Sequence, residues 1–318
     1  MNASRPHLPV LYQETLHGLQ PHPGGRYVDG TLGTGGHAYG ILTASAPDGL
    51  LLGLDLDPQA LSLAAAYLAP FGARAILREA SYLTLETHLA ALGWHAVDGI
   101  LLDLGVSSMQ LETPHRGFSF KEDAPLDMRF SPHTPQTAAD LVNTLPEEDL
   151  ADILYRYGEE HRSRQVARAI VAARPLHTTR QLAEVVAGST RSGRPGMHPA
   201  TRTFQALRIA VNQELQNVTA VLPLALRALA AGGRLAVISF HSLEDRLVKH
   251  FFQQESRDCL CPPRQPICTC EHQANLRLIT RKPIQASPQE AARNPRARSA
   301  RLRIAEKIVA HPGTPLAR

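Results

Sequence analysis

Apolar and polar positions change regime twice along the chain. From Val10 to Leu104, short apolar runs that close on an acidic residue alternate with segments of helical period. Val10, Leu11, Leu16 and Leu19 lie roughly on one side of a helix over Val10–Gln20, and Pro21 and Pro23 end it. Tyr27-Val28 then runs into Asp29. Leu50–Leu54 closes on Asp55, and Asp57-Pro58 is a helix start, an N-cap followed by proline at the first helical position, with the helix reaching Leu68. Ala75–Arg78 predicts a third strand and Leu83–Leu92 a helix. Asp98–Leu104 is an apolar run closing on Asp103, predicted to be a central parallel strand buried on both faces. Strand alternating with helix is the pattern of a doubly wound α/β sheet.

The pattern then breaks. Gly105–Pro135 is irregular but carries Phe118, Phe120, Met128 and Phe130, too much apolar surface for a linker. A long ordered loop at a strand's carboxyl end is usually functional. From Thr137 to Gln213 no strand pattern occurs. Helices are expected over Glu147–Tyr157, His161–Ala173 and Thr178–Ala187, the last N-capped by Thr178, with a loop over Arg191–Pro199. One long helix is expected from Ala200, with Phe204, Leu207, Val211, Leu215, Val218 and Leu222 at helical spacing and a kink at Pro223. The strand regime returns after Gly232-Gly233 with Arg234–Phe240. Ser242 and Asp245 resemble a capping box opening a helix over Leu243–Gln253, and strands follow at Leu276–Thr280 and Ala300–Ala305. The expected organisation is a sheet domain from 1–136 and 214–318, interrupted by an all-helical subdomain over 137–213.

Composition adds bounds. The 318 residues are 43% apolar but only 5% aromatic, so the core is built mainly from aliphatic side chains. A net charge of +4 and a pI near 9.0 suit an RNA partner without being diagnostic of one. There is no signal-like run at the start and no segment near the ~18 apolar residues of a membrane span, so a cytoplasmic protein is expected. The four cysteines fall within Cys259–Cys270, unlike a secreted disulfide framework. As Cys259-x-Cys261 and Cys268-x-Cys270 they suit zinc by residue type. The one-residue spacing within each pair is shorter than usual, and reduced loop thiols with no metal are the expectation.

The candidate chemistry centres on Asp29-Gly-Thr-Leu-Gly-Thr-Gly-Gly-His37, a glycine turn between strand and helix. Its glycines let the backbone approach a ligand, and the helix start offers free N–H groups. Gly33-x-Gly35-x-x-Ala38 formally fits a dinucleotide pattern. Gly30-x-x-x-x-Gly35-Gly36-His37 lacks the Lys and Ser/Thr of a P-loop. S-adenosylmethionine also fits, with its carboxylate on backbone N–H groups and its ammonium near Asp29. Asp55 stands where an acid accepts from ribose hydroxyls. Tyr82 either flanks an adenine or is an ordinary half-buried tyrosine. Asp29 and Asp103 would share the crevice at the topological switch point. His241, at a strand's end, reads equally as a base and as a hydrogen-bonded structural histidine. From Arg277 to Arg303 the only acid is Glu290, which suits phosphate contact or a solvated basic edge.

Together with Leu102-Asp-Leu-Gly-Val-Ser-Ser108, Arg116-Gly-Phe-Ser-Phe120, Pro125-Leu-Asp-Met-Arg129, His198-Pro-Ala-Thr-Arg-Thr-Phe-Gln-Ala-Leu-Arg208, Ile238-Ser-Phe-His-Ser-Leu-Glu-Asp245 and Asn294-Pro-Arg-Ala-Arg-Ser-Ala-Arg301, the glycine turn resembles the RsmH (MraW) family over nearly the whole chain. The resemblance implies a Rossmann-like class I S-adenosyl-L-methionine (SAM)-dependent methyltransferase with an inserted helical substrate-recognition subdomain. It implies N4-methylation of a cytidine in the decoding centre of 16S rRNA, with naked rRNA and the assembled small ribosomal subunit both left open as the form acted on. A homodimer is left open. The family's SAM contacts carry over to Gly35, Gly36, His37, Asp55, Asp103 and Gln110, and to Tyr82, where the family often has Phe. The cysteine knuckle occurs in only some members, which argues against an essential metal.

Cytosine's exocyclic amine is a poor nucleophile, so a hydrogen-bond acceptor is expected at the fourth strand's end. Many amino-methyltransferases carry Asp/Asn-Pro-Pro-Tyr there. This chain has Asp103-Leu-Gly-Val, so Asp103 or a nearby carbonyl is the acceptor, and stacking would come from Phe118 or Phe120. Two rivals remain. A nicotinamide dehydrogenase leaves the basic carboxyl end unexplained, and a non-catalytic ribosome-assembly factor does not need the three aspartates.

Overall fold

The computed structural model describes residues 9–189, 198–262, 265 and 267–309. The chain divides into two compact units, Met1–Gly105 with Asn217–Arg318, and Val106–Gln216. The first unit opens with α1 (Tyr12–Leu19), β1 (Arg26–Asp29), α2 (Gly36–Ala44), β2 (Leu50–Asp55), α3 (Pro58–Leu68), β3 (Ala75–Glu79), α4 (Leu85–Ala91) and β4 (Val97–Asp103). Asp57 caps α3 as its position predicts, its carboxylate accepting from Gln59 N at 3.0 Å. The helix expected from Leu83 starts two residues later. Tyr82–Thr84 is instead a 3-10 turn, held by Ser81, whose hydroxyl accepts from Leu83 N.

The second unit holds α5 (Ser108–Glu112), α6 (Ala138–Thr144), α7 (Glu147–Gly158), α8 (Ser163–Ala172), α9 (Thr179–Ser189) and α10 (Thr201–Asn212). Each of α7 to α10 buries one apolar stripe, with Leu150, Leu154, Val166, Ile170, Leu182 and Leu207 in a shared core. Periodicity does not reveal the short α6, which a Thr137–Asp140 capping box starts. Phe118, Leu126 and Met128 enter this core, so 106–136 clusters with the helices rather than with the sheet domain expected over 1–136. Arg129 braces that stretch with paired bonds to Asp127 (2.9 and 2.8 Å) and bonds to the Pro132 and Thr134 carbonyls. Most of the loop expected over Arg191–Pro199 lies outside the described residues.

The single long helix from Ala200 is not formed. Gln213 takes a left-handed backbone (φ 51°) that ends α10, and a new helix, α11 (Glu214–Ala228), begins next to it with Pro223 inside. A one-residue interruption barely disturbs the apolar spacing, which is why the sequence reads as continuous. After α11 come β5 (Leu229–Ser239), α12 (Ser242–Glu255), β6 (Leu276–Leu278), β7 (Ile284–Gln285), α13 (Pro288–Arg293) and β8 (Arg301–Lys307). β5 starts ahead of Arg234 because Gly232 (φ 81°) and Gly233 are absorbed where its register against β4 shifts, not spent on a separate turn.

The sheet runs β3-β2-β1-β4-β5-β8-β6, with β7 also on β8. β1 to β5 are parallel, and β8 is antiparallel to its neighbours β5, β6 and β7. Side-chain alternation divides the burial. Val28, Leu52, Ile100 and Leu102 face a core with α4, α11 and α12, while Tyr27, Leu51 and Leu101 face one with α1, α2 and α3. This is a doubly wound, Rossmann-like α/β sheet with helices on both faces. The order places β1 between β2 and β4, so the carboxyl ends of those three strands are neighbours.

Candidate functional site

Asp29, Asp55 and Asp103 are each the last residue of their strand, on β1, β2 and β4. Register fixes their relation: Asp29 lies beside Gly53 on one side and Leu101 on the other, so Asp55 and Asp103 each extend past it along the sheet. The glycine turn fills the step between them. Gly30 N donates to Leu101 O and Leu32 N to Leu54 O, both at 2.9 Å, which ties the turn to β4 and β2. Gly35 has φ +85°, a backbone that only glycine adopts without strain, and α2 begins with the next residue. A side chain on Gly30 would sit 2.7 Å from Leu102 and 3.2 Å from Tyr82, so the turn lies tight against β4 and Tyr82 flanks it.

The carboxylates differ in their partners. Asp55 accepts from Gly33 N at 2.7 Å through one oxygen and from Asp57 N at 2.9 Å through the other, which orients it and leaves each oxygen a second lone pair. Burial pushes its pKa up against those two bonds. Asp29 is almost fully buried, with Thr31 N donating to it at 3.2 Å; burial, then that opposing bond, then the Asp55 charge bring it to about 7. Asp103 is raised well above the carboxylate range by burial and by the charges of Asp29 and Glu244. Its Oδ1 is buried without a hydrogen-bond partner among the described residues. Three acids so crowded favour a bound cation.

His37, in the first turn of α2, is buried against Tyr12, ring centroids 6.0 Å apart. Its Nε2 lies 3.8 Å from Asp103 Oδ2. Burial lowers its pKa to about 4, so at neutral pH the imidazole is uncharged and does not offset the Asp103 charge. His241 is the N-cap of α12, accepting from Glu244 N at 3.4 Å, with its Nε2 3.2 Å from Glu244 Oε1. The capping box expected from Ser242 and Asp245 is therefore shifted: the cap is one residue earlier, and Asp245 turns to Arg301 and Arg303 on β8.

Of the residues singled out from sequence, Gly35, Gly36, His37, Asp55, Tyr82 and Asp103 all lie in the first unit, around the carboxyl edge of β1, β2 and β4. Gln110 lies in the second unit, on α5, where it completes a capping box with Ser107. Phe118 is no stacking platform: its ring is buried against Phe130 at 5.6 Å. Phe120 is half-buried, with His198 at 4.6 Å and Phe204 at 4.9 Å. The basic stretch also divides. Arg303 is buried on Asp245 and Arg277 pairs with Glu306, while Arg281, Lys282, Arg293 and Arg298 are exposed.

Neither Thr31 nor Glu244 stands out in the sequence. The Thr31 hydroxyl accepts from Asp103 N at 2.6 Å while its own N–H holds Asp29, so one residue links the two acids. Its signal was its place inside the Asp-Gly-Thr turn. Glu244 is buried and accepts from Phe240 N at 3.0 Å; in sequence it looks like an ordinary first-turn acid.

Among the described residues no helix is long and apolar enough to cross a membrane. A sequence model described as the MraW methylase family matches residues 4–308. The chain is 53% identical over 307 residues to the ribosomal RNA small subunit methyltransferase H of Syntrophotalea carbinolica, covering 95% of this chain and 98% of that protein. To the protein of that name from Thermomicrobium roseum it is 51% identical over 313 residues, 98% of this chain and 96% of the other. To that of Dehalococcoides mccartyi it is 50% identical over 304 residues, 96% of this chain and 87% of the other.

Proposed function

The chain belongs to the MraW methylase family, and on that premise we propose that it is a SAM-dependent ribosomal RNA methyltransferase that methylates N4 of a cytidine in the decoding centre of 16S rRNA, within the small subunit. The observation that carries the cofactor reading is the trio Asp29, Asp55 and Asp103 at adjoining strand ends around a glycine turn. The donor set fits: a buried carboxyl raised to about 7 and an Asp103 Oδ1 buried without a hydrogen-bond partner among the described residues both favour a cation. When bound, the cofactor supplies an electrophilic methyl on a sulfonium. Gly35, Gly36 and His37 hold its amino-acid end, with Asp29 facing the ammonium. Asp55 accepts from the ribose hydroxyls through its free lone pairs. Tyr82 flanks the adenine.

The cytosine amine must be held, because its lone pair is delocalised into the ring. The Asp103 carboxylate accepts its hydrogen bond and aligns it for transfer, so that part of the barrier is removed by positioning. As the amine is alkylated it must lose a proton. The Asp103 carboxylate, in its ionised form and already holding the amine, is the group placed to take it up. Exposed Arg281, Lys282, Arg293 and Arg298 supply phosphate contacts that position the RNA without reading its sequence.

The test is methyl transfer from tritiated SAM to small subunits from cells lacking this gene, with mass-spectrometric mapping of the label. Label on N4 of one decoding-centre cytidine is the expected result. SAM binding with no label on subunits or on naked rRNA would contradict the substrate assignment.

A further inference from the structure

Between α12 and β6 the chain leaves the sheet for an excursion over 256–275. Its base is closed by Asn275, whose N donates to Glu255 O and whose Nδ2 donates to Glu255 Oε2, both at 2.8 Å. None of the described residues in this excursion is buried, and Ile267 at its far end is 75% exposed. A segment with no apolar core of its own needs another source of order. The excursion carries all four cysteines of the chain.

The four sulfurs converge. Sγ–Sγ separations are 3.5 Å for Cys259–Cys268, 3.6 Å for Cys268–Cys270, 3.8 Å for Cys259–Cys270 and 3.9 Å for Cys261–Cys268, and all four lie within 4.8 Å of one another. The cysteines are free, and these separations are far above the ~2.05 Å of a disulfide. They match a different object. Four sulfurs ~2.3 Å from a central zinc, in a tetrahedron, stand about 3.8 Å from each other. Backbone N–H groups aim at the sulfurs as well: Leu260 N at Cys270 Sγ (3.3 Å), Cys261 N at Cys259 Sγ (3.4 Å) and Thr269 N at Cys261 Sγ (3.4 Å). Donors so placed stabilise thiolates, the form that binds metal.

We propose that Cys259, Cys261, Cys268 and Cys270 form a tetrathiolate zinc site that orders the 256–275 excursion. The spacing within each pair argues for plain loop thiols when read from sequence, but the convergence of all four sulfurs within 4.8 Å outweighs it. With four protein ligands and no open position, the site is structural rather than catalytic. Binding converts the thiols to thiolates and releases their protons to solvent.

The test uses the full chain, purified under reducing conditions from zinc-supplemented medium. Elemental analysis is expected to find one zinc per chain, and a Cys261→Ser/Cys268→Ser double variant close to none. Replacing the zinc in the unaltered chain with cobalt is expected to give thiolate-to-cobalt charge-transfer absorption, a readout that does not depend on the variant folding. The proposal is overturned if the chain stays metal-free after reconstitution or holds iron instead. Zinc retained in full by a folded double variant, or the mass loss of disulfides in the reduced preparation, overturns it equally.

Discussion

Replacing Asp29 with asparagine should make the protein more stable and a poorer binder of SAM. Asp29 is 1% exposed, and its pKa rises from 3.8 to about 7 on folding. A folded-state pKa above the unfolded value means that the folded form holds the proton more tightly. The stability this gives is fully present below the unfolded pKa and is lost as pH rises through about 7. A shift of about three units at 1.36 kcal/mol per unit sets an upper bound of about 4 kcal/mol on the cost of the ionised form. Asparagine keeps the shape and can still accept from Thr31 N, but never carries the charge. We therefore expect Asp29→Asn to stabilise the first unit by roughly 2–4 kcal/mol at pH 8, a rise on the order of 5 °C in melting temperature, shrinking toward zero near pH 4. Losing a charge-assisted contact to the ammonium should weaken SAM binding by roughly 10–100-fold. Thermal melts across pH and titration calorimetry with SAM read both effects. An Asp29→Asn variant less stable at pH 8, or one that binds SAM as the unaltered protein does, would refute the reasoning.

Two further predictions follow from the same groups. If Asp29 must ionise to meet the cation, apparent SAM affinity should improve about tenfold from pH 6 to pH 8, with proton release seen as a buffer-dependent binding enthalpy; a flat profile would count against it. An Arg293→Ala/Arg298→Ala variant should weaken RNA binding to all sequences alike and reduce the salt slope by about 2, measured by filter binding over a salt series; an unchanged slope would remove those residues from the phosphate contacts.

The sheet and the three aspartates were legible because both rest on local patterns. A parallel strand buried on two faces must be apolar along its length, so the acid that ends it marks the strand's carboxyl end. The glycine turn is equally local, since Gly35 needs a backbone that other residues avoid. What tertiary contact decides was not legible. Phe118 has the composition of a stacking residue but is spent in the helical core, and Arg303 looks like a phosphate ligand but is buried on Asp245. The break at Gln213 rests on one left-handed residue that no propensity forces. The cysteine spacing argues against a metal until the chain folds back and brings four sulfurs together.

If the donor and the cytosine amine meet at the carboxyl edge of β1, β2 and β4, Asp103 must take part in the transfer. The most direct test is single-turnover methyl transfer by Asp103→Ala on unmethylated small subunits at saturating SAM. Removal of the acceptor predicts a rate lower by ~10²-fold or more, with the fold intact by circular dichroism. Methyl transfer at the full rate would show that Asp103 does not hold the amine, and would contradict the account at its centre.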